Sequence, residues 1–314
     1  MMNLFRPFAG LLLALGITLA GVATTSSAEL LSEEQLAPSS GWSFSMTPYV
    51  WTLFITGDQT AGNNTVSVDT NIFEIIDEAD EFYGFMSYQE LRKGKVGLFA
   101  DVLWSRMNFG IGDAKDIGPI PGAPGINVNL SIAADADIWV DMAIVEPGVA
   151  FEIFNRSSGG SLKDPVPSPS MNSTAIDVVA GARYWYLKPD VDLTVTGTIN
   201  IPALGISRTG SGRVKGKKTI DWWDPYIGLR LRQQRGPGKE LVLRGDIGGF
   251  GVGSDFTWQV NGGYNFNTRI LGRNATGMIG YRAIYADYSE GNGANKLGFD
   301  WLWHGPTLGL KFSW

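Results

Sequence analysis

The stretch that decides the fold is Phe256-Thr257-Trp258-Gln259-Val260-Asn261-Gly262-Gly263-Tyr264-Asn265-Phe266-Asn267. Its even-numbered residues are Phe, Trp, Val, Gly, Tyr and Phe, whereas its odd-numbered residues are Thr, Gln, Asn, Gly, Asn and Asn. A period of two residues predicts a β-strand with one apolar and one polar face. The run is longer than the ~5–6 residues of an average strand and reaches the ~9–11 residues with which a strand crosses a bilayer.

The same alternation recurs in residues 176–184, 227–232 and 241–247. In the last of these, Leu243 and Ile247 share a face, and charged residues occupy the other. A soluble sandwich buries its apolar face, whereas a transmembrane barrel turns that face to lipid and keeps a polar interior. Because both architectures alternate, other features have to separate them.

The connections and the strand ends favour the transmembrane barrel. Residues 92–95 and 235–239 are short and basic, whereas residues 57–81 and 110–125 and the hairpin around 202–205 are long. Short turns on one side and long loops on the other are typical of outer-membrane barrels. Aromatic residues near strand ends predict an interfacial girdle, and they are Trp42, Tyr83, Trp104, Tyr184, Tyr186, Trp222, Trp223, Trp301 and Trp303.

The composition excludes several classes of protein. The 314 residues include no Cys, so disulfide scaffolds, Cys-ligated metal sites and an acylated-Cys anchor are excluded. A net charge of −6 and a pI near 4.9 argue against a nucleic-acid partner. With a single His, the chain has little material for His-based catalysis or metal binding, and we expect no cofactor.

The N-terminal residues predict export. Residues 1–28 have the charged start (Arg6), the apolar run and the small residues (Ser26 and Ala28) of a cleaved signal peptide. A polar periplasmic leader follows at 29–41, and the barrel is expected over 42–314. No later segment approaches the ~18 consecutive apolar residues of a membrane-spanning helix.

The end of the chain and a glycine-rich block carry a family resemblance. The closing strand, with Gly309, Leu310, Phe312 and Trp314, resembles the C-terminal signal that the bacterial barrel-assembly machinery reads. The block Gly245-Asp246-Ile247-Gly248-Gly249-Phe250-Gly251-Val252-Gly253-Ser254-Asp255 resembles a family of uncharacterised bacterial outer-membrane β-barrel proteins. The resemblance implies an all-β fold, an outer-membrane location, contact with outer-membrane lipids and lipopolysaccharide, and no established substrate.

The chain predicts a closed antiparallel barrel of about ten strands, with eight and twelve as alternatives. The predicted strands are 42–56, 81–93, 95–110, 125–154, 174–190, 219–233, 239–250, 254–268, 275–288 and 298–314. Twelve would result if 125–135 or 191–201 were separate strands; in the ten-strand count, residues 194–201 extend a long hairpin. An even count places both termini in the periplasm. Ile72, Phe73, Ile75 and Ile76 permit a short amphipathic helix inside the first long loop.

Strand parity places charged residues inside the barrel. The acids are Glu90, Asp101, Glu146, Glu152, Asp177, Asp246 and Asp255, and the bases are Arg92, Arg183, Arg230, Arg232, Arg244, Arg282 and Lys311. Equal numbers of both signs predict a nearly neutral lumen. This lumen is interpreted either as a narrow porin-like channel for small solutes, or as the salt-bridged filling of a non-conducting structural or surface-interaction barrel.

An outer-membrane enzyme acting on lipids or peptides ranks third, and we expect no enzyme. Parity turns His304 outward near the girdle, and Gly251-Val252-Gly253-Ser254-Asp255 does not match a nucleophile elbow. The basic residues of 210–219 predict a solvated or lipopolysaccharide-contacting loop. The acidic stretch, a solvated loop or a divalent-cation site, contains Asp69, Glu74, Asp77, Glu78, Asp80 and Glu81.

Overall fold

Strands account for nearly all of the regular structure. The computed structural model describes residues 41–111, 129–130, 134–158, 172–201, 206–236, 238–270 and 273–314. The strands are β1 Ser43–Trp51, β2 Phe54–Ala61, β3 Asn64–Asn71, β4 Glu81–Lys93, β5 Val96–Ile111, β6 Asn129–Leu130, β7 Ala134–Ser158, β8 Asn172–Ile201, β9 Ile206–Lys217, β10 Ile220–Arg235, β11 Glu240–Gly248, β12 Phe256–Ile270, β13 Arg273–Glu290 and β14 Leu297–Ser313. One helix, α1 Ile72–Glu78, and a 3-10 turn at Gly293–Asn295 complete the described elements. The predicted signal peptide and almost all of the predicted leader lie outside the described residues.

Ten strands close into an antiparallel barrel, which confirms the predicted fold and strand count. Around the wall the order is β1, β4, β5, β7, β8, β10, β11, β12, β13 and β14, and β14 pairs with β1 again. At this seam Tyr49 is opposite Gly309 and Ser45 is opposite Ser313. The last residue extends the seam, because the backbone N–H of Trp314 donates to the carbonyl oxygen of Phe44 at 2.9 Å. Every strand therefore has a partner on each side, and the wall has no free edge.

The two ends of the barrel differ. At the short-turn end, residues 94–95 join β4 to β5 and residues 236–239 join β10 to β11. At the hairpin end, β8 runs on to Ile201 and pairs with β9, so the long hairpin predicted there is confirmed. The short β6 pairs with the outer part of the same strand. The two predicted short turns therefore lie at one end and the long β8–β9 hairpin at the other, although residues 159–171, which connect β7 to β8, also belong to the short-turn end.

Residues 57–81, predicted as a loop, form regular structure instead. The predicted strand 42–56 breaks after Trp51, and its continuation β2 pairs with the upper part of β14 and with β3. Gly62, at a φ of 61°, makes the turn of the β2–β3 hairpin. The permitted helix is present as α1, where the side chain of Asn71 accepts hydrogen bonds from the first turn, and Ile75 is buried. The helix thus seals one side of the hairpin end.

The polarity of the inner and outer faces of the wall inverts along the barrel axis. Near the short-turn end, Leu243 and Ile247 are exposed on the outer face, whereas Arg244 and Asp246 are buried inside. These orientations follow the predicted parity and the inverted pattern of a membrane barrel. Outward apolar side chains encircle this part of the wall and form the outer belt, which comprises Phe44, Val50, Phe85, Leu98, Trp104, Val149, Phe151, Ile227, Leu229, Leu243, Ile247, Val260, Tyr264, Ile279, Tyr281, Leu308 and Phe312.

Towards the hairpin end the pattern becomes that of a soluble protein. On β8, Trp185, Leu187 and Leu193 are buried inside, and Asp190 and Asp192 lie on the opposite face. Ile75 of α1 joins the same interior apolar cluster. The upper barrel therefore encloses a hydrophobic core.

Part of the predicted girdle is wrong for the same reason. Trp301 and Trp303 are buried inside the barrel, and Trp222 packs against the interior core. Trp301 and Trp303 occupy odd-numbered positions of β14, as the inward Thr307 does. The alternation along the strand therefore turns them inward, although they lie near a strand end. Trp42, Tyr83, Trp104 and Trp223 are exposed, as a girdle requires. Among the described residues, no helix is long and apolar enough to cross a membrane.

Candidate functional site

The interior holds a buried ionic layer centred on Glu146. Its carboxylate accepts hydrogen bonds from Arg183 Nε at 2.8 Å, from Arg282 Nη2 at 2.8 Å and from Arg244 Nη2 at 3.2 Å. Asp246 accepts from Arg183 Nη2 at 3.0 Å, so each carboxylate contacts more than one arginine. The side chains of Glu146 and Arg183 are both 0% exposed. Since buried charges are costly unless they are paired, this reciprocal pairing is what allows the charges to be buried.

One contact of this layer crosses the bore. Glu146 lies on β7 and Arg282 on β13, and four strands separate them in either direction around the wall. Their 2.8 Å ion pair therefore joins opposite walls. Arg282 also reaches Asp101 on β5 at 2.8 Å. A barrel of about eight strands is just wide enough to be filled by side chains, and long arginines extend that filling to ten.

A second ionic group lies nearer the short-turn end and is centred on Asp177. Arg230 and Arg232 donate to Asp177 from Nε at 2.8 Å and 2.9 Å, and Arg92 donates from Nη2 at 3.0 Å. Arg230 also makes a bidentate pair with Glu90, at 2.7 Å and 3.0 Å. Bidentate arginine–carboxylate pairs are among the strongest protein hydrogen bonds and fix both partners geometrically.

Aromatic rings line the ionic layer, and sequence parity did not predict them. The guanidinium of Arg244 lies 5.0 Å from the ring centre of Tyr226 and 5.1 Å from that of Phe99. Arg282 lies 5.1 Å from the ring of Trp51. These cation–π contacts stabilise the buried arginines. The inward parity of Phe99 and Tyr226 next to charged positions was the available signal.

Above the ionic layer, towards the hairpin end, lies an aromatic layer formed by Trp185, Trp222, Tyr288, Phe299, Trp301 and Trp303. The rings of Trp185 and Trp303 are 5.0 Å apart, and those of Trp222 and Tyr288 are stacked at 3.9 Å. Because β8 and β14 are also separated by four strands in each direction, the Trp185–Trp303 contact joins opposite walls as well. A small apolar cavity of about 30 Å³ lies among these rings.

The glycine-rich block closes over this layer through Asp224. The fully buried carboxylate of Asp224 accepts hydrogen bonds from Ser254 Oγ, Trp185 Nε1 and Trp222 Nε1, at 2.8, 2.8 and 3.1 Å. It also accepts the backbone N–H of Ser254 at 2.6 Å. Gly251 has a φ of 73°, a conformation that favours glycine. The block therefore serves as a structural clasp for the β11–β12 turn.

A cavity of about 260 Å³ lies at the short-turn end. Its wall includes the cations Arg92, Arg230, Arg232, Arg244, Arg282 and Lys311 and the acids Glu90, Asp101 and Glu240. The carboxylates of Glu146, Asp177 and Asp246 pair with these arginines but are not part of the wall. The cavity surface therefore carries more cationic than anionic groups.

The structure brings most of the sequence-predicted interior residues together. Those in the two ionic groups or the cavity wall are Glu90, Arg92, Asp101, Glu146, Glu152, Asp177, Arg183, Arg230, Arg232, Arg244, Asp246, Arg282 and Lys311. Asp255 was predicted wrongly, because it is exposed in the turn and its N–H donates to the carbonyl of Asp287. Parity cannot be carried through a turn in which Gly249 and Gly251 adopt positive φ.

The remaining singled-out groups lie outside the bore. His304 faces outward, and its Nδ1 is 2.7 Å from the hydroxyl of Tyr281. Among the described residues, no group of three or more His, Asp or Glu side chains is placed to hold a metal ion. Acids of the predicted acidic stretch act locally instead, since Glu74 accepts from Thr70 at 3.0 Å and Asp80 accepts the N–H of Gly110 at 2.8 Å.

The basic hairpin is partly neutralised by its own strands. On β8, Asp192 pairs with Arg213 at 2.6 Å and with Lys215 at 2.8 Å, and all three lie at the surface. Hydrogen bonds from Arg213 and then Lys215 hold the pKa of Asp192 well below its ordinary value. The cations of this hairpin are therefore less available to an external anion than their number implies.

No protein-family model matches the chain, and no curated protein matches it. Among solved structures it is similar to a FadL homologue from Pseudomonas aeruginosa, with 8% identity over 87% of this chain and 90% of that chain and a TM-score of 0.26. It is also similar to the toluene transporter TbuX from Ralstonia pickettii, with 9% identity over 87% and 89% of the two chains and a TM-score of 0.28. The outer membrane protein OpdK from Pseudomonas aeruginosa covers 87% and 99% of the two chains, at 7% identity and a TM-score of 0.18. Similarity at this level does not transfer a function.

Proposed function

We propose that the chain is an outer-membrane β-barrel that does not conduct, and that its bore serves as a structural core between two functional ends. The observation that carries this proposal is the 2.8 Å ion pair between Glu146 and Arg282 across opposite walls. We also propose that it is not an enzyme, since His304, its one His, lies on the outer face.

The outer belt supports the membrane location. Soluble monomers expose contiguous apolar surface only in small patches, whereas this belt encircles the barrel. Trp42, Tyr83 and Trp223 are exposed near strand ends, where interfacial aromatics belong. With short turns in the periplasm and long hairpins outside, the short-turn end faces the periplasm, and lipids and lipopolysaccharide surround the belt and the hairpin end.

Closure rests on two layers of different chemistry. A solute crossing the bore would have to separate the ion pairs around Glu146 and then the Trp185–Trp303 contact. The first step strands buried charges, and the second opens a packed apolar core. A narrow channel would instead show charged side chains beside a continuous water-filled path, whereas the larger cavity lies at one end.

Conductance in planar bilayers tests the proposal. The refolded full chain, shown to be folded by heat-modifiable gel migration, should give no current steps at any applied voltage. A general porin reconstituted in the same way serves as the positive control. Discrete current steps from the folded chain would establish the porin-like channel and overturn the proposal.

A variant sharpens the test. Arg230→Ser with Arg244→Ser removes two cations from the cavity wall but leaves the aromatic layer intact. The variant should therefore lose stability, because Asp177 and Glu146 each lose an arginine partner, and should stay silent. Measuring melting and current on one preparation separates the two interpretations: a current in the variant would locate the barrier in the ionic groups alone.

A further inference from the structure

The cavity at the short-turn end has the features of a ligand site. Its volume of about 260 Å³ corresponds to roughly nine water molecules at about 30 Å³ each. A small metabolite with a similar number of non-hydrogen atoms would fill it. In the proposed orientation this cavity opens towards the periplasm, from which polar solutes reach it without crossing lipid.

The wall favours an anion. The cavity exposes six cations, which are Arg92, Arg230, Arg232, Arg244, Arg282 and Lys311, and three acids, which are Glu90, Asp101 and Glu240. Glu146, Asp177 and Asp246 neutralise much of this charge from behind the wall, so the guanidinium N–H groups that face the cavity, rather than a net positive charge, would hold an anion. Guanidinium groups match the planar oxygens of carboxylates and the oxygens of phosphates.

Two arginine nitrogens in this wall have unused hydrogen-bonding capacity. Within the described part of the chain, Arg244 Nε and Arg92 Nη1 have no hydrogen-bond partner. The side chain of Arg244 is only 7% exposed, so its free donor is buried beside the cavity. The nearest carboxylate recorded for Arg92 Nη1 is that of Glu152, at 3.8 Å, which is too long for a hydrogen bond. Buried donors without partners are rare in native proteins. Both nitrogens are shielded from solvent, so an anion in the cavity would pair with them only after the side chains turn towards it.

The rest of the wall combines polar side chains with the apolar side chains of Phe44, Val242 and Met278. Thr47, Asn261, Asn265 and Thr307 line the cavity with neutral groups that both donate and accept hydrogen bonds. We propose that this cavity binds one small hydroxylated acid per chain, through its carboxylate or phosphate group. The inference requires only the cavity at the short-turn end and does not rest on closure of the bore.

Calorimetric titration of the refolded full chain in detergent micelles at low ionic strength tests the inference. The probes are gluconate for the carboxylate class, glycerol 3-phosphate for the phosphate class, and glucose as the uncharged control. One of the two anions should bind at one site per chain, more weakly as salt is added, and glucose should not bind. The anion that binds more tightly identifies the class.

Three variants locate the site. Arg244→Gln should weaken anion binding by about tenfold or more, because a charged donor inside the cavity is lost. Asn261→Trp fills the cavity and leaves every charge in place, so it should abolish binding even if the Arg244 variant does not fold. Arg106→Gln is the matched control, since Arg106 pairs with Asp141 on the outer face at 3.6 Å. This variant should bind the anion as tightly as the parent chain does.

Each outcome decides the inference. A folded parent chain that binds neither anion, or an Asn261→Trp variant that still binds, would overturn it, and so would equal binding of glucose. Current steps in the bilayer test with anion binding intact would overturn the proposed function and leave this inference standing. A folded barrel that gives no current and binds neither anion would overturn this inference and leave the proposed function standing.

Discussion

Replacing the central carboxylate of the ionic layer should be one of the most damaging single changes in the barrel. In the Glu146→Gln variant the side-chain volume stays nearly constant, so no cavity forms. The variant removes the charge that faces Arg183, Arg244 and Arg282. Asp246 and Asp101 then remain to neutralise three buried arginines, which leaves one cation uncompensated.

The magnitude follows from burial. Removing one partner of a buried ion pair costs about 3–5 kcal/mol, and Glu146 is fully buried. Glu240→Gln is the matched control, because Glu240 lies at the cavity rim, 3.6 Å from the partly exposed Lys311. A solvent-accessible pair contributes about 0–1 kcal/mol. The two Glu→Gln variants should therefore differ by at least about 2 kcal/mol in the free energy of unfolding.

Urea unfolding of both variants in phospholipid vesicles measures this difference. The fluorescence of the 11 Trp residues reports the fraction unfolded. Added salt should reduce the effect of Glu240→Gln and leave that of Glu146→Gln nearly unchanged, because buried charges are poorly screened. If Glu146→Gln costs less than about 1 kcal/mol, the account of a buried carboxylate that compensates three arginines is refuted.

Three further predictions concern the wall, the seam and the clasp. Leu243→Arg on the outer belt should cost about 2–4 kcal/mol, and Asn261→Arg, facing the cavity from the next strand, should cost less; the opposite ranking in refolding titrations would contradict the assigned orientations. Deleting residues 312–314 removes the end of the β1–β14 seam and should leave a protease-sensitive chain in the periplasm, whereas normal yield in the outer membrane would refute a role in assembly. Asp224→Asn should cost about 1.5–3 kcal/mol and speed proteolysis within residues 249–255, and an unchanged cleavage rate would show that Asp224 does not hold this turn.

Much of the fold follows from period-two alternation. The count of ten strands was correct because each long strand has its own alternating segment and a recognisable turn. The β2–β3 hairpin was missed, although Val66 and Val68 alternate with polar residues after a turn at Gly62. Assigning the whole segment to a long loop obscured this short-range signal.

The charged interior was largely predictable and the aromatic interior was not. Parity within a strand correctly oriented Arg183, Arg244 and Arg282, because each is flanked by apolar neighbours that face outward. The same parity turns Trp301 and Trp303 inward. The expectation of an interfacial girdle overrode parity for these residues, because a Trp near a strand end has two physical explanations and only its side of the strand separates them.

The inversion of polarity along the bore explains why the two ends would serve different purposes. Near the short-turn end the outer face of the wall is apolar and the interior holds the polar groups, and these groups define a cavity rich in guanidinium. Above Arg183 the outer face carries charges such as Asp190, so the interior can be apolar, and Trp185 and Trp303 fill it. A polar ligand can therefore enter the ionic half but gains nothing by advancing, because the next layer consists of packed rings and the carboxylate of Asp224 there already accepts hydrogen bonds from Trp185, Trp222 and Ser254. Such an arrangement suits a site that holds a solute at the short-turn end better than a route that passes it through the bore.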